Sequence, residues 1–170
     1  MLNTLVIINT LRCNLKCAHC LRGHPKERPD FPLELLPKLL SEARPFGAKH
    51  VALTGGEPYL HPQFSEMVEV IVTAGYTWHF VSNGWETAPY TALMEKYRDS
   101  VKHVALSLDS ATAEVHNSIR GKNSFEHVIQ AAKNYRELGF LLILGTSLNQ
   151  KNKDQLKEII QLATELDASK

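Results

Sequence analysis

The sequence predicts an α/β fold, an open partial (β/α) barrel of about five parallel βα units. Short runs rich in β-branched and aromatic residues alternate with amphipathic stretches along the whole length, as a parallel sheet with crossover helices requires. Right-handed crossovers then place all the helices on one side of a curling sheet. A polar or glycine-rich loop follows every strand candidate, at the rim where such folds bind ligands.

The first strand candidate is Thr4 to Ile8, followed by a cysteine-bearing loop and a helix whose Leu36, Leu39, Leu40 and Ala43 recur at helical spacing. His50 to Leu53 is the second strand, Thr54-Gly55-Gly56-Glu57-Pro58 its exit loop, and Phe64, Met67, Val68 and Ile71 the apolar stripe of its helix. Thr77 to Val81 leads through Ser82-Asn83-Gly84 to a helix marked by Tyr90, Leu93, Met94 and Tyr97. His103 to Leu108 runs into Ser107-Leu108-Asp109-Ser110. Its helix carries Val128, Ala132 and Tyr135 behind a cap-like Asn123-Ser124-Phe125-Glu126, with Gly139 placed to end it. Phe140 to Gly145 is the fifth strand, Thr146-Ser147-Leu148-Asn149 its exit, and Leu156, Ile159, Ile160 and Ala163 line the last helix. No linker, low-complexity segment or exact repeat interrupts this order, so residues 1–170 read as one domain.

Composition narrows the function. With 44% hydrophobic residues the chain can bury a core without a disulfide framework. A formal charge of +1, from 19 basic and 18 acidic residues, gives no general attraction for nucleic acid or anionic lipid, so neither is expected as a partner. The apolar runs are far too short to span a membrane, and Met1 to Ile8 lacks the basic start and long apolar region of a signal peptide. A cytoplasmic protein is expected. The three cysteines sit within one stretch, Cys13-Asn14-Leu15-Lys16-Cys17-Ala18-His19-Cys20, which favours a metal or redox centre in a reducing compartment over disulfides.

Three thiolates on one tight loop can hold an iron-sulfur cluster and leave one iron unligated. Two other readings use the same residues. A structural zinc site would need a histidine, His24 being better placed than His19, and such sites more often pair two separated C-x2-C knuckles. An electron-transfer cluster of ferredoxin type takes four cysteines, and no fourth exists. Gly55 and Gly56 allow close backbone approach and Pro58 fixes the exit of an otherwise ordinary strand-to-helix turn. Arg120 offers a fork suited to a carboxylate, and Asp109 an acceptor for hydroxyls. Asn83 either reaches a ligand or shapes its turn. His50, His79, His103 and His127 read as scattered, with no pair at metal spacing. Arg22, Tyr59 and Trp85 lie in rim loops, where contact with substrate and plain packing are both open.

These segments together resemble the radical S-adenosylmethionine (SAM) superfamily. C-x3-C-x2-C is similar to its cluster signature, Gly55-Gly56-Glu57-Pro58 to its GGEP motif, and Ser82-Asn83-Gly84 to its TNG element. Ser107-Leu108-Asp109 with His116 and Arg120-Gly121 resembles the SLD, H and RG stretch of the branch that includes molybdenum-cofactor biosynthesis and peptide maturation. The resemblance implies that Cys13, Cys17 and Cys20 ligate a [4Fe-4S] cluster, and that SAM meets His19, Gly55, Gly56, Glu57, Asn83, Ser107, Asp109 and Arg120. Asp109 would accept from ribose hydroxyls and Arg120 would hold the methionyl carboxylate. It also implies an external electron donor of flavodoxin or ferredoxin type and a peptide or small-molecule substrate. Because the family core has six βα units, the sixth is absent here, which reads as a C-terminally truncated core domain and raises a partner that completes the barrel. His19 stands where the family usually has an aromatic residue. A glycyl-radical-enzyme activase and a non-catalytic iron-sulfur module are the competing readings.

Overall fold

A computed structural model describes residues 2–23 and 25–169. Its five strands form one sheet in the order β1-β2-β3-β4-β5: Thr4–Thr10, His50–Gly55, Thr77–Ser82, Val101–Ser107 and Leu142–Gly145. β1 with β2, β2 with β3, and β4 with β5 pair parallel. Spatial order follows chain order without reversal, as in barrel-type winding and unlike a doubly wound sheet. The expected open α/β architecture is therefore observed.

The chain divides into two compact units, residues 1–14, 25–81 and 88–102 in one and residues 15–24, 82–87 and 103–170 in the other. In the first unit, helices α1 (Leu36–Ala43), α2 (Phe64–Thr73) and α3 (Ala88–Lys96) accompany β1 to β3. Alternation along the strands decides which side chains form its core. Register aligns Ile7 with Leu53 and Leu53 with Phe80, and all three are buried. Phe80 stacks on Tyr90 of α3 at 3.9 Å, and the Trp78 indole donates to the Ser100 hydroxyl at 3.1 Å. The alternate row on β1, Val6 and Ile8, stays exposed.

Two histidines read as scattered turn out to pair on that alternate row. His50 Nε2 lies 2.5 Å from His79 Nδ1, with ring centroids 4.8 Å apart and planes only 8° apart. A centroid distance about one ring radius longer at each end than the nitrogen distance places the rings edge to edge in one plane. Thr77 Oγ1 donates to the Lys49 carbonyl and accepts from His50 Nδ1, so His50 Nε2 accepts from His79. Nitrogens facing along one line share a proton and do not chelate a metal, so the pair fastens β2 to β3.

The second unit holds most of β4, then α4 (Ala113–Arg120), α5 (Ser124–Glu137), β5 and α6 (Leu156–Glu165). Helix α4 was not anticipated from the sequence. It presents the buried pair His116 and Ile119 and is otherwise polar, so its apolar period is nearly invisible. The expected cap of α5 also differs. Asn123 takes a left-handed conformation (φ 64°) and makes no side-chain cap. Asn117, from the preceding helix, accepts instead from the Phe125 amide at 2.9 Å and the Ser124 hydroxyl at 3.1 Å. Gly139 ends α5 in a left-handed turn as expected (φ 78°), and the Phe140 amide bonds back to the Tyr135 carbonyl, which delays β5 until Leu142. On α6 the buried residue is Ile159, while Leu156 and Ile160 remain exposed, so only part of the expected stripe is buried.

Replacing the borrowed cap tests this account of α5. Asn117→Ala is expected to lower unfolding stability by about 1 kcal/mol, read from the urea midpoint, whereas Asn123→Gly, which keeps the left-handed backbone and removes only the side chain, should leave the midpoint close to the parent's.

Candidate functional site

Beyond the β1–β2 ladder the two backbones stay in register as loops. The Gly56 amide donates to the Thr10 carbonyl and the Glu57 amide to the Arg12 carbonyl, both at 2.7 Å. A Cβ on Gly55 would lie 2.1 Å from the Thr10 carbonyl oxygen, and one on Gly56 would lie 2.0 Å from that of Arg12. The two glycines are thus required by close approach of one backbone to another. Pro58 opens a tight turn and accepts at its carbonyl from the buried Asn9 amide at 2.9 Å. Glu57 is buried, and its Oε1 accepts from the Tyr90 hydroxyl, which also receives the Tyr59 amide at 3.2 Å.

The approach to Cys13 is fastened within the same unit. Arg12 grips Asp30 through Nε, at 3.1 and 3.0 Å, and Nη2, at 2.9 Å; the Thr10 hydroxyl adds a bond of 2.6 Å to the same carboxylate. Burial pushes the Asp30 carboxyl up, but the Arg12 and Thr10 bonds outweigh it and hold it below its ordinary value. Arg28 donates to the Cys13 carbonyl at 3.3 Å.

Cys17, His19 and Cys20 belong to the second unit. The loop lies on the C-terminal end of α4: the Ala18 amide donates to the Ile119 carbonyl at 2.8 Å, and the Cys17 thiol to that of Arg120 at 3.7 Å. A turn from the Cys17 carbonyl to the Cys20 amide, 3.2 Å, closes the segment. None of the three cysteines forms a disulfide; Cys13 and Cys17 are half-buried and Cys20 is exposed. Among the described residues no three His, Cys, Asp or Glu side chains are gathered closely enough to hold a metal ion. His24, the histidine of the zinc reading, lies outside the described residues. The donor set suits a cluster: three accessible thiols on a loop without regular structure, with no disulfide.

Asp109 is fully buried. Its Oδ2 accepts from Arg120 Nε at 2.6 Å and His19 Nε2 at 3.2 Å, and its Oδ1 from the Ser147 amide at 2.9 Å. Its own amide donates to His116 Nδ1 at 3.2 Å, and its carbonyl receives the Asn152 amide group at 2.7 Å. Both carboxylate oxygens, expected to face ribose hydroxyls, are therefore engaged by protein. Thr146 and Ser147 support this loop: the Thr146 hydroxyl donates to the Leu108 carbonyl at 2.7 Å. Ser107 ends β4 opposite Gly145. Asn83 shapes its turn, accepting the Trp85 amide at 2.9 Å, and Trp85 stacks on His127 at 4.0 Å. A pocket of about 500 Å³ between α1 and α2, lined by Leu40, Val70 and Tyr76 among others, includes none of the expected site residues.

The sequence placed His116 in a motif but gave it no task. Because it accepts from a backbone amide, its proton sits on Nε2, which is buried without a hydrogen-bond partner. Burial first, and then the Arg120 charge, push its pKa down from 6.5 to about 4, against the opposing charges of Asp109 and Glu126.

An open parallel sheet wound in chain order carries a three-thiol loop after its first strand and a Gly-Gly-Glu turn after its second, which defines an α/β domain of barrel-type winding. The chain belongs to the Radical SAM superfamily, whose model matches residues 7–163. That superfamily uses a [4Fe-4S] cluster and SAM. The chain is 32% identical over 162 residues to the mycofactocin maturase MftC of Mycobacterium tuberculosis, covering 94% of this chain and 41% of that protein. It is 30% identical to the antilisterial bacteriocin subtilosin biosynthesis protein AlbA of Bacillus subtilis, over 94% of this chain and 36% of that protein. Streptococcus suis SuiB bound to S-adenosylmethionine superimposes with a TM-score of 0.84 at 19% identity, over 98% of this chain and 39% of that one. The chain thus spans less than half the length of these relatives. Among the described residues, no helix is long and apolar enough to cross a membrane.

His116 gives a pH signature. The unfolded chain protonates this histidine near its ordinary 6.5 and the folded one near 4, so its contribution is complete above pH 6.5 and is lost as pH falls toward 4. Urea unfolding from pH 7 to 4 should show stability falling in that window, and His116→Asn should flatten the slope by about one proton.

Proposed function

We propose that residues 1–170 are the SAM-cleaving core domain of a radical enzyme that modifies a peptide. Cys13, Cys17 and Cys20 hold the [4Fe-4S] cluster and leave one iron for SAM, whose ammonium meets the Gly55-Gly56-Glu57 turn. The observation that carries this reading is the pair of glycines packed on the Thr10 and Arg12 carbonyls directly before the first cysteine. That packing fixes the start of the thiol loop beside a turn whose carboxylate is itself held by Tyr90. When bound, cluster and SAM supply an electron-driven cleavage to methionine and a 5'-deoxyadenosyl radical that takes hydrogen from substrate.

The chain's own residues bind, orient and exclude water. Arg120 meets Asp109 through Nε, and its amino groups are assigned to the methionyl carboxylate. His19, Asn83 and Ser107 complete the SAM contacts. A peptide is favoured as substrate because MftC is named a maturase and SuiB has been solved bound to its precursor peptide SuiA. A one-electron donor of flavodoxin or ferredoxin type supplies the reductant. Three cysteines outside any disulfide suit the reducing cytoplasm.

After anaerobic iron and sulfide reconstitution, the unaltered chain should carry about four irons and show the broad visible absorption of a cluster. Cys17→Ala should lose both, since two thiolates do not hold the cluster; loading equal to the parent would remove Cys17 from the ligand set. Arg120→Ala should keep its iron but bind SAM about tenfold more weakly, as measured by equilibrium dialysis, and unchanged affinity would take Arg120 out of the site.

A further inference from the structure

We propose that Asp109 is a positioning residue that latches the cysteine loop onto α4 through His19 and, with the same carboxylate oxygen, aims Arg120. The proposal rests on reading the loop as the cluster site and assigns Asp109 a task other than contact with ribose.

The physical case begins with burial. A fully buried carboxylate is costly unless its charge is compensated and its lone pairs are bonded. Asp109 meets that demand with partners from three separate segments: Arg120 on α4, the Ser147 amide after β5, and His19 on the cysteine loop. Its backbone is held just as firmly, by His116 at the amide and Asn152 at the carbonyl. The latch therefore sits on a backbone bonded at both its amide and its carbonyl, and His19 is its arm to the cysteine loop.

A carboxylate only accepts, so His19 carries its proton on Nε2 and donates to Asp109. The other ring nitrogen, Nδ1, is buried with no hydrogen-bond partner, so the Asp109 contact is the polar bond that orients the ring. The two preceding residues are tied to the same helix end, Ala18 to the Ile119 carbonyl and Cys17 to the Arg120 carbonyl. Cys17 and Ala18 are thereby held on the end of α4, and His19 adds a third tie through the carboxylate that also fixes Arg120. Loss of that tie should loosen the segment between Cys17 and Cys20 and leave the rest of the fold unchanged.

Hydrogen exchange of the full unloaded chain tests this without reference to activity. His19→Phe keeps a ring but removes the donor; His19→Gln loses the ring but keeps an amide N–H at a similar reach. The latch predicts that exchange of the Ala18 amide and of residues 15–21 rises about tenfold in His19→Phe, the size of a lost bond to a charged group. In His19→Gln it should stay within about twofold of the parent, and β2 should exchange as in the parent in both variants. A role in packing alone predicts the reverse order, and exchange in His19→Phe no faster than in His19→Gln overturns the latch. Asp109→Asn supplies a second arm, since its NH2 would face the Arg120 and His19 donors, and it should accelerate the same amide. Iron loading of the unaltered chain is scored separately: a chain that fails to load but shows the His19→Phe acceleration keeps the latch and loses the cluster reading, whereas a chain that loads and shows none loses the latch alone.

Discussion

The first unit depends on two backbones that stay within hydrogen-bonding distance after their strands have ended. Parallel pairing of β1 and β2 shifts register between Ile8 and Thr10, and the ladder then continues as bonds from Gly56 to Thr10 and from Glu57 to Arg12. No side chain fits in that gap, because a Cβ at either glycine would fall inside the van der Waals surface of a carbonyl oxygen. The residues leading into the thiol loop and the residues of the turn are therefore built as one object. The Arg12 to Asp30 grip and the Tyr90 to Glu57 bond brace it from either side.

The second unit solves a similar problem with charge. Its loops come from distant parts of the chain, and a buried carboxylate gathers them. Asp109 joins α4, the loop after β5 and the cysteine loop, and His116 and Asn152 fix the backbone from which it acts. Burying one charge with several directed donors favours a single arrangement of those loops, because any other leaves the carboxylate unpaired. His116 is kept neutral first by its burial and then by the Arg120 charge beside it.

Local signals made much of this legible in the sequence. Strands announced themselves as β-rich runs, and all five begin and end within two residues of their predicted limits because side-chain alternation and turn residues act locally. The thiol spacing and the paired glycines were readable for the same reason. What escaped depends on distance along the chain. Helix α4 buries a histidine where a periodic pattern expects an apolar residue, the α5 cap comes from Asn117 on another helix, and His50 meets His79 only through strand register. Asp109 was singled out as a ligand contact. Its partners at Ser147 and Asn152 lie 38 and 43 residues away, and nothing in the local sequence shows that its side chain and backbone also gather these loops.

The central claim is that this chain cleaves SAM reductively, and product analysis tests it most directly. The reconstituted chain, reduced by dithionite under anaerobic conditions and given SAM without substrate, is predicted to release 5'-deoxyadenosine and methionine together, slowly and only when both reductant and cluster are present. A chain with a spectroscopically confirmed cluster that forms neither product would contradict the account and identify the domain as an iron-sulfur module without radical chemistry.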